Sequence, residues 1–351
     1  MAEPISATDE VIVRREGRAG RLTLNRPKAL NALTFGMVKT ITVALQTWAN
    51  DPAVDVVILD GAGDRALCAG GDVRWLYDSR ARGPADAHAF WREEYELNSM
   101  IARYRKPYVA LMDGIVMGGG IGLSAHARHR IVTERSQIAM PETAIGLIPD
   151  VGGTYLLSRT QGRLGLYLGL TGARMTGADA IQAGFADHYI SAAKVPRLIE
   201  RLSASGSEPV DDVIEDLAEP VPASALAANR ALLDRLFAGD SLAAIQANLL
   251  TTTDPLATQA RTDLATRSPK ALALTLEAIR RAKGYATLDA ALTVEFRLCT
   301  RLFDDGEFIE GVRALIVEKD KAPKWTPPRH DEVTPQLVAS YFAPTIDEWR
   351  R

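Results

Sequence analysis

"KPYVALMDGIVMGGGIGLS", residues 106–124, joins an apolar strand-like run, an Asp113-Gly114 turn signal and a glycine run that opens a helical stretch. From it the pattern extends in both directions. PYVALMDGIV predicts a strand, GIGLSAHARHRIV (120–132) a helix running into a strand, and QIAM (137–140) another strand. Toward the N-terminus, VDVVILDG (54–61) predicts a buried strand, FGMVKTITVALQTWAN (35–50) has helical apolar spacing, and VIVRREGRAGRLTLN (11–25) predicts a hairpin. Strands that alternate with helices need parallel pairing and crossover connections, which sets the fold class as α/β.

The character changes after about residue 203. SASGSEPVDDVIEDLAEPVPAS (203–224) is acidic and rich in Ser and Pro, and the Ala-, Leu- and Arg-rich sequence that follows has helical periodicity. The expected organisation is a core over 1–205, an exposed connection over 206–223, a helical region over 224–330 and a proline-punctuated tail with one short helix over 331–351.

The 351 residues suffice for a large core, and 24% charged residues with a net charge of -3 give no basic excess to draw the chain to nucleic acid or anionic lipid. No apolar run approaches the roughly 18 residues of a membrane span. A small-molecule partner is therefore expected. Cys68 and Cys299 are far apart and lack metal or redox spacing, which points to a reducing compartment and to no metal. The N-terminal MAEPISATDEVIVRREG has no secretory pattern and carries Glu3, Asp9 and Glu10, so the expected setting is bacterial cytoplasm, or the mitochondrial matrix for a processed eukaryotic chain.

Two glycine-rich turns, CAGGDVR (68–74) and MGGGIGLSAH (117–126), each follow a strand and precede a helix. Such turns leave backbone amides at the positive end of a helix with no Cβ in the way, which suits an anion or a developing oxyanion; the plainer reading is tight packing alone. Gly120 to Ala125 also fits the dinucleotide pattern G-x-G-x-x-A, but Asp113-Gly114 interrupts the strand that should run into it. Gly122 to His126 approaches a nucleophile elbow, with a His too bulky for the last position. His126 and His129 lack a carboxylate to complete a zinc pattern and read as surface or packing residues. MPETAIGLIPDVGG (140–153) adds Glu142 and Asp150. Each has a structural reading, Glu142 as a loop acid and Asp150 as a helix N-cap, yet two oxyanion donors with two carboxylates are what acyl transfer requires.

The segments RLTLNRPKALNAL (21–33), ALCAGGDVR (66–74), the 106–124 stretch, AMPETAIGLIPDVGGTYLLSR (139–159) and LTGARMTGADAIQAGFADHYI (170–190) together resemble the enoyl-CoA hydratase/isomerase (crotonase) superfamily. SPKALALTLEAIRRAKGYATLDAALTVEFRL (268–298) and DGEFIEGVRALIVEKDKAPKWTPP (305–328) extend the likeness to its acyl-CoA hydrolase branch, which serves valine catabolism. The resemblance implies a crotonase-like spiral of repeated ββα units with a helical C-terminal region. It implies that the amides of Gly71 and Gly119 grip a thioester oxygen, where one such donor is worth roughly 3 kcal/mol. It places Lys28, Ala29, Leu30, Ala69, Gly70, Gly118 and Gly122 along the coenzyme A groove, with Asp72 and Arg74 at its edge. In typical hydratases of the family a second glutamate stands at position 122 and a glycine at 150; Gly122 and Asp150 therefore imply hydrolysis. Glu142 would attack the thioester or act as general base, while Asp150 orients water and a substrate hydroxyl or protonates the departing thiolate.

The expected activity is hydrolysis of a short branched β-hydroxyacyl-CoA, with no cofactor beyond the coenzyme A of the substrate. The alternatives are a hydratase or isomerase of the same fold and a coenzyme A-binding member without turnover. Members of the family commonly form trimers or pairs of trimers, and the sequence leaves two arrangements open: a homo-oligomer, or C-terminal helices that cover the same surface within one subunit. Trp75, Trp91 and Tyr95 are either pocket or core aromatics.

Overall fold

Strands β1 (Val11–Glu16) and β2 (Ala19–Leu24) pair antiparallel with Glu16 opposite Ala19, so the chain reverses at Gly17-Arg18 as the hairpin reading requires. A computed structural model describes residues 9–204 and 208–350; residues 1–8, on which much of the targeting expectation rests, lie outside the described residues. Beyond β2, strands β3 (Val56–Gly61), β5 (Tyr108–Met112), β7 (His129–Val132) and β10 (His188–Tyr189) add in parallel, in the order β1-β2-β3-β5-β7-β10. A second sheet has the order β4 (Ala66–Cys68), β6 (Ile115–Met117), β8 (Gln137–Ala139), β9 (Met175–Thr176).

The two orders define a spiral. Each repeat puts its first strand (β3, β5, β7) into the long sheet and its second (β4, β6, β8) into the short one, then crosses over to the next repeat. This corrects the reading of PYVALMDGIV as a single strand: Gly114, at φ 70, turns the chain between β5 and β6. A Cβ at that position would lie 2.5 Å from the Arg65 carbonyl oxygen, so the turn tolerates only glycine.

Contacts group the described chain into two units. The first takes residues up to 72, 96–138 and 175–224, and the second takes 73–95, 139–174 and 225 onward. The division is thus not linear along the chain as the sequence reading framed it. In the first unit, Ala19, Val56, Ile58, Val109, Leu111 and Ile131 from the long sheet meet Leu198 and Leu202 from the helix Val195–Ser203. They also meet Val213, Ile214 and Leu217 from the helix Val210–Leu217. The expected exposed connection over 206–223 is accordingly a packed helix at 210–217. Each large aliphatic side chain it buries contributes about 2 kcal/mol, enough to hold a segment whose outward side is acidic. The part of that connection at 205–207 lies outside the described residues.

The second unit is built mainly of helices, among them Leu164–Thr171, Pro255–Thr266, Pro269–Ala282 and Leu288–Asp304. Ser268 and Thr287 cap the last two, each accepting from the amide three residues on. The tail carries the short helix Pro335–Phe342, anchored by Tyr341 and Phe342, both buried. Trp91 is a core residue of this unit, edge-on to Phe303 and Phe308 at 5.8 and 6.0 Å. Among the described residues, no helix is long and apolar enough to cross a membrane.

Candidate active site

The glycine turns come together within the first unit. After β4 the chain passes through Gly70 at φ 113, where a Cβ would come within 3.5 Å of the Met117 carbonyl and 3.9 Å of the Gly119 nitrogen. Leu33 bridges this turn by donating to the Gly70 carbonyl (2.8 Å) and accepting from the Asp72 amide (2.9 Å). That bridge uses the residues on either side of Gly71 and not the Gly71 N–H. Gly119 is the first residue of the helix Gly119–Ser124, where first-turn amides have no intrahelical acceptor. Gly122 lies buried inside the same helix.

Gly120 fixes the approach of the two turns: a Cβ there would sit 2.4 Å from the Cys68 carbonyl oxygen and 3.0 Å from the Cys68 Cβ. Backbone cannot yield cheaply, so Gly120→Ala is expected to lower stability by about 1–3 kcal/mol. Thermal unfolding should show a midpoint several degrees down, and an unchanged midpoint would mean that the turns are not in close contact.

The loop before this turn carries Lys28 and Ala29 in the 3-10 turn Pro27–Ala29, both exposed, and then Leu30 and Asn31 at φ 51 and 55. Asn31 holds the left-handed pair in place. Its side chain accepts from the Arg26 amide at 2.9 Å and donates to the Ala66 carbonyl at 2.8 Å, and the Ala69 amide donates to Leu30 at 3.0 Å. Asp72 receives Arg26 at 3.0 Å. Of the residues expected along the coenzyme A groove, Lys28, Ala29, Leu30, Ala69, Gly70, Asp72, Gly118 and Gly122 all fall in this unit. Arg74 belongs to the second unit, where it is exposed and pairs with Asp78 one turn along its helix at 3.1 Å.

The carboxylates belong to the second unit. Glu142 begins the 3-10 turn Glu142–Ile145, which Gly146 closes at φ 71. Asp150 precedes Val151 and Gly152, at φ 52 and 82, and the Gly153 amide donates back to the Asp150 carbonyl at 2.6 Å. The N-cap of the helix Gly153–Ser158 is Gly152, so Asp150 is not the cap that its position before the helix suggests. Its carboxylate instead accepts the Tyr95 hydroxyl at 2.8 Å. A β-branched residue at positive φ, as Val151 is, costs on the order of 1–3 kcal/mol and persists only where its surroundings impose it.

Four carboxyl groups meet here with little solvent: Glu142 and Asp150 are 5% exposed, Glu94 2% and Glu295 0%. Burial raises Asp150 to about 6 against the pull of the Tyr95 hydrogen bond. Burial first, and the Asp150 charge second, push both Glu142 and Glu94 well above the ordinary carboxylate range. Burial also carries Glu295 to about 8, opposed by bonds from Thr154 and Gly152. Acids of raised affinity for protons are poised to give and take them near neutral pH. One oxygen of Glu142 and one of Glu94 are buried with no hydrogen-bond partner among the described residues, an arrangement that asks for a donor from outside the chain. The Tyr95 oxygen also lies 3.4 Å from Cys299 Sγ, on the helix Leu288–Asp304, and its ring meets Phe296 edge-on at 6.2 Å.

The structure thus gathers Glu142 and Asp150 and adds Glu94, Tyr95, Glu295 and Cys299, of which the sequence reading noticed only Tyr95, as an aromatic, and Cys299, as a cysteine without metal or redox spacing. A signal existed. Glu295 shares the stripe Leu292, Glu295, Cys299, Leu302, and Glu94 follows Ala87, Phe90 and Trp91 at helical spacing, so each is a charge on an apolar face. His129 is buried in β7 with Nδ1 3.5 Å from Asp211, and burial lowers its proton affinity. Among the described residues, no three His, Cys, Asp or Glu side chains are placed to hold a metal ion.

The profile of the enoyl-CoA hydratase/isomerase family matches residues 19–342. The curated mitochondrial 3-hydroxyisobutyryl-CoA hydrolase of Xenopus tropicalis is 42% identical over 341 residues, covering 95% of this chain and 88% of its own. The protein of that name from Homo sapiens is 39% identical over 350 residues, covering 97% and 90%. Among solved structures, one described as a carnitinyl-CoA dehydratase from Mycobacterium thermoresistibile superposes with a TM-score of 0.93 at 48% identity, over 97% of this chain and 98% of its own. Another, described as an enoyl-CoA hydratase from Rhodobacter sphaeroides, gives 0.89 at 48% identity over 95% and 97%.

Proposed function

This chain belongs to the enoyl-CoA hydratase/isomerase family, and from that premise we propose that it is an acyl-CoA thioester hydrolase that converts 3-hydroxyisobutyryl-CoA and water to 3-hydroxyisobutyrate and coenzyme A. The observation that carries the reading is the pairing of buried Glu142 with buried Asp150 in a chain that has glycine, not glutamate, at position 122. Hydration of a double bond is served by two carboxylates that share one water, and position 122 offers no side chain for the second. Curated relatives that carry the hydrolase name match nearly the whole chain.

In this reading Glu142 acts on the thioester carbonyl, either by attack to give a mixed anhydride or by taking a proton from water. Its unpartnered oxygen is the atom for that work, and the unpartnered oxygen of Glu94 suits the substrate hydroxyl as a donor. Asp150, near 6 and held by Tyr95, supplies the proton that lets the thiolate leave. The amides of Gly71 and Gly119 receive the negative charge on the thioester oxygen. Coenzyme A enters as part of the substrate, Lys28 and the Ala29–Leu30 backbone take its nucleotide portion, and the setting is the bacterial cytosol or the mitochondrial matrix.

The names of the solved structures favour a second reading, hydration of an enoyl-CoA. One assay separates the two: release of free thiol from 3-hydroxyisobutyryl-CoA, run beside loss of the conjugated absorbance of crotonyl-CoA. Thiol release without hydration is the expected result. Hydration without thiol release would overturn the hydrolase.

A further inference from the structure

We propose that Glu295 is a positioning residue for the acid site: its carboxylate clamps the Asp150–Gly152 turn and so aims the Asp150 carboxyl group. The inference rests on the hydrolase reading for the chemistry that Asp150 performs, but the clamp itself stands on geometry. Glu295 is fully buried, and its Oε2 accepts the Gly152 amide at 2.7 Å while its Oε1 accepts the Thr154 amide at 2.9 Å and the Thr154 hydroxyl at 2.5 Å.

Those amides sit at the start of the helix Gly153–Ser158, where no intrahelical acceptor exists. A serine or aspartate at the cap position is the usual remedy, but the cap here is Gly152, which has no side chain. The acceptor comes instead from a residue 143 positions away, on the buried stripe of the helix Leu288–Asp304. A glutamate in such a stripe is an expensive way to cap a two-turn helix. It is an effective way to impose a conformation, because it grips the backbone immediately after Val151, the β-branched residue held at φ 52. With Gly152 and Thr154 both fixed, the Asp150 carbonyl is held by the Gly153 amide and its side chain points at the Tyr95 hydroxyl. Three donors on one carboxyl group favour its ionised form and partly offset the burial that opposes it.

The test is Glu295→Gln in the full-length protein. The glutamine fills the same volume, but its amide NH2 must face one of the N–H donors, so the turn loses part of its grip. Hydrolysis of 3-hydroxyisobutyryl-CoA is expected to show kcat down about 10- to 100-fold with KM changed less than about threefold. The limb of the kcat pH profile that reports Asp150 should also move. A residue that only stabilises the fold would leave kcat and the pH profile unchanged at 25 °C, where the variant is folded, and that outcome overturns the inference. If Glu295→Gln does not fold, Thr154→Val serves: it removes one of the three donors, and kcat at least threefold lower supports the clamp, while unchanged kcat overturns it. If the unsubstituted protein releases no thiol at all, the hydrolase reading fails. The clamp is then tested separately by amide hydrogen exchange, with Gly152 and Thr154 expected to exchange at least tenfold faster in Glu295→Gln and equal rates overturning it.

Discussion

Glu142→Gln is expected to lower kcat for thiol release by at least about 1000-fold, with KM for the acyl-CoA changed by only a few fold. General-base or nucleophilic carboxylates contribute rate factors of roughly 10²–10⁴, and a carboxamide can neither attack a thioester nor accept a proton from water. The substitution keeps the volume of a side chain that is 5% exposed, so packing is preserved. It also removes a group whose ionisation burial and Asp150 both oppose, so the fold should not suffer. Loss of rate with an unchanged or higher unfolding temperature is the signature expected of a working acid. H2 18O under single turnover gives a positive test of the nucleophilic route: attack by Glu142 followed by water at the Glu142 carbonyl of the anhydride puts the label into the protein carboxylate, whereas general-base catalysis never labels the protein. Turnover within tenfold of the unsubstituted protein would remove Glu142 from the mechanism.

Why Glu142 and Asp150 were legible while their neighbours were not is a matter of chain position. Both acids sit at turns marked by Pro141, Pro149 and Gly152-Gly153, where a charge needs an explanation and a family pattern can be aligned. Glu94 and Glu295 lie mid-helix, and a single glutamate in a helix ordinarily faces water; only their registration with buried Leu, Phe and Trp neighbours betrays them. The alternation of strands and helices was readable because parallel strands buried on both faces leave continuous runs such as VVIL in β3 and YVALM in β5. The helix Val210–Leu217 was hidden by its acidic residues and by the prolines at 209 and 220. Its Val213, Ile214 and Leu217 still keep the spacing of one helical face. What no local reading supplies is the long-range bond, since Glu295 to Gly152 spans 143 residues and depends on tertiary packing alone.

Asp150→Asn is expected to cost about 100-fold in kcat and, at the same time, to stabilise the protein at alkaline pH. The sign follows from the direction of the shift. Burial raises Asp150 from 3.8 to about 6, so between those values the folded chain holds more protons than the unfolded one. Stability from this group is fully present below the unfolded value and is lost as pH rises through about 6. A rise of that size corresponds to roughly 3 kcal/mol, which the ionised native protein gives up at pH 8. Asparagine has no charge to bury and can still accept the Tyr95 hydroxyl, so it escapes the penalty. Removing the charge also relieves Glu142 and Glu94, both of which the Asp150 carboxylate pushes upward, and this adds to the effect in the same direction. The difference in unfolding temperature between Asp150→Asn and the unsubstituted protein should therefore be about 5 °C in favour of the variant at pH 8 and about a third of that at pH 4.5, which already lies above the unfolded value. A variant destabilised equally at both values would show that the Asp150 charge is compensated in the fold, leaving burial no role in setting its proton affinity. Stability gained together with activity lost would instead mark Asp150 as a group kept for chemistry at the expense of the fold.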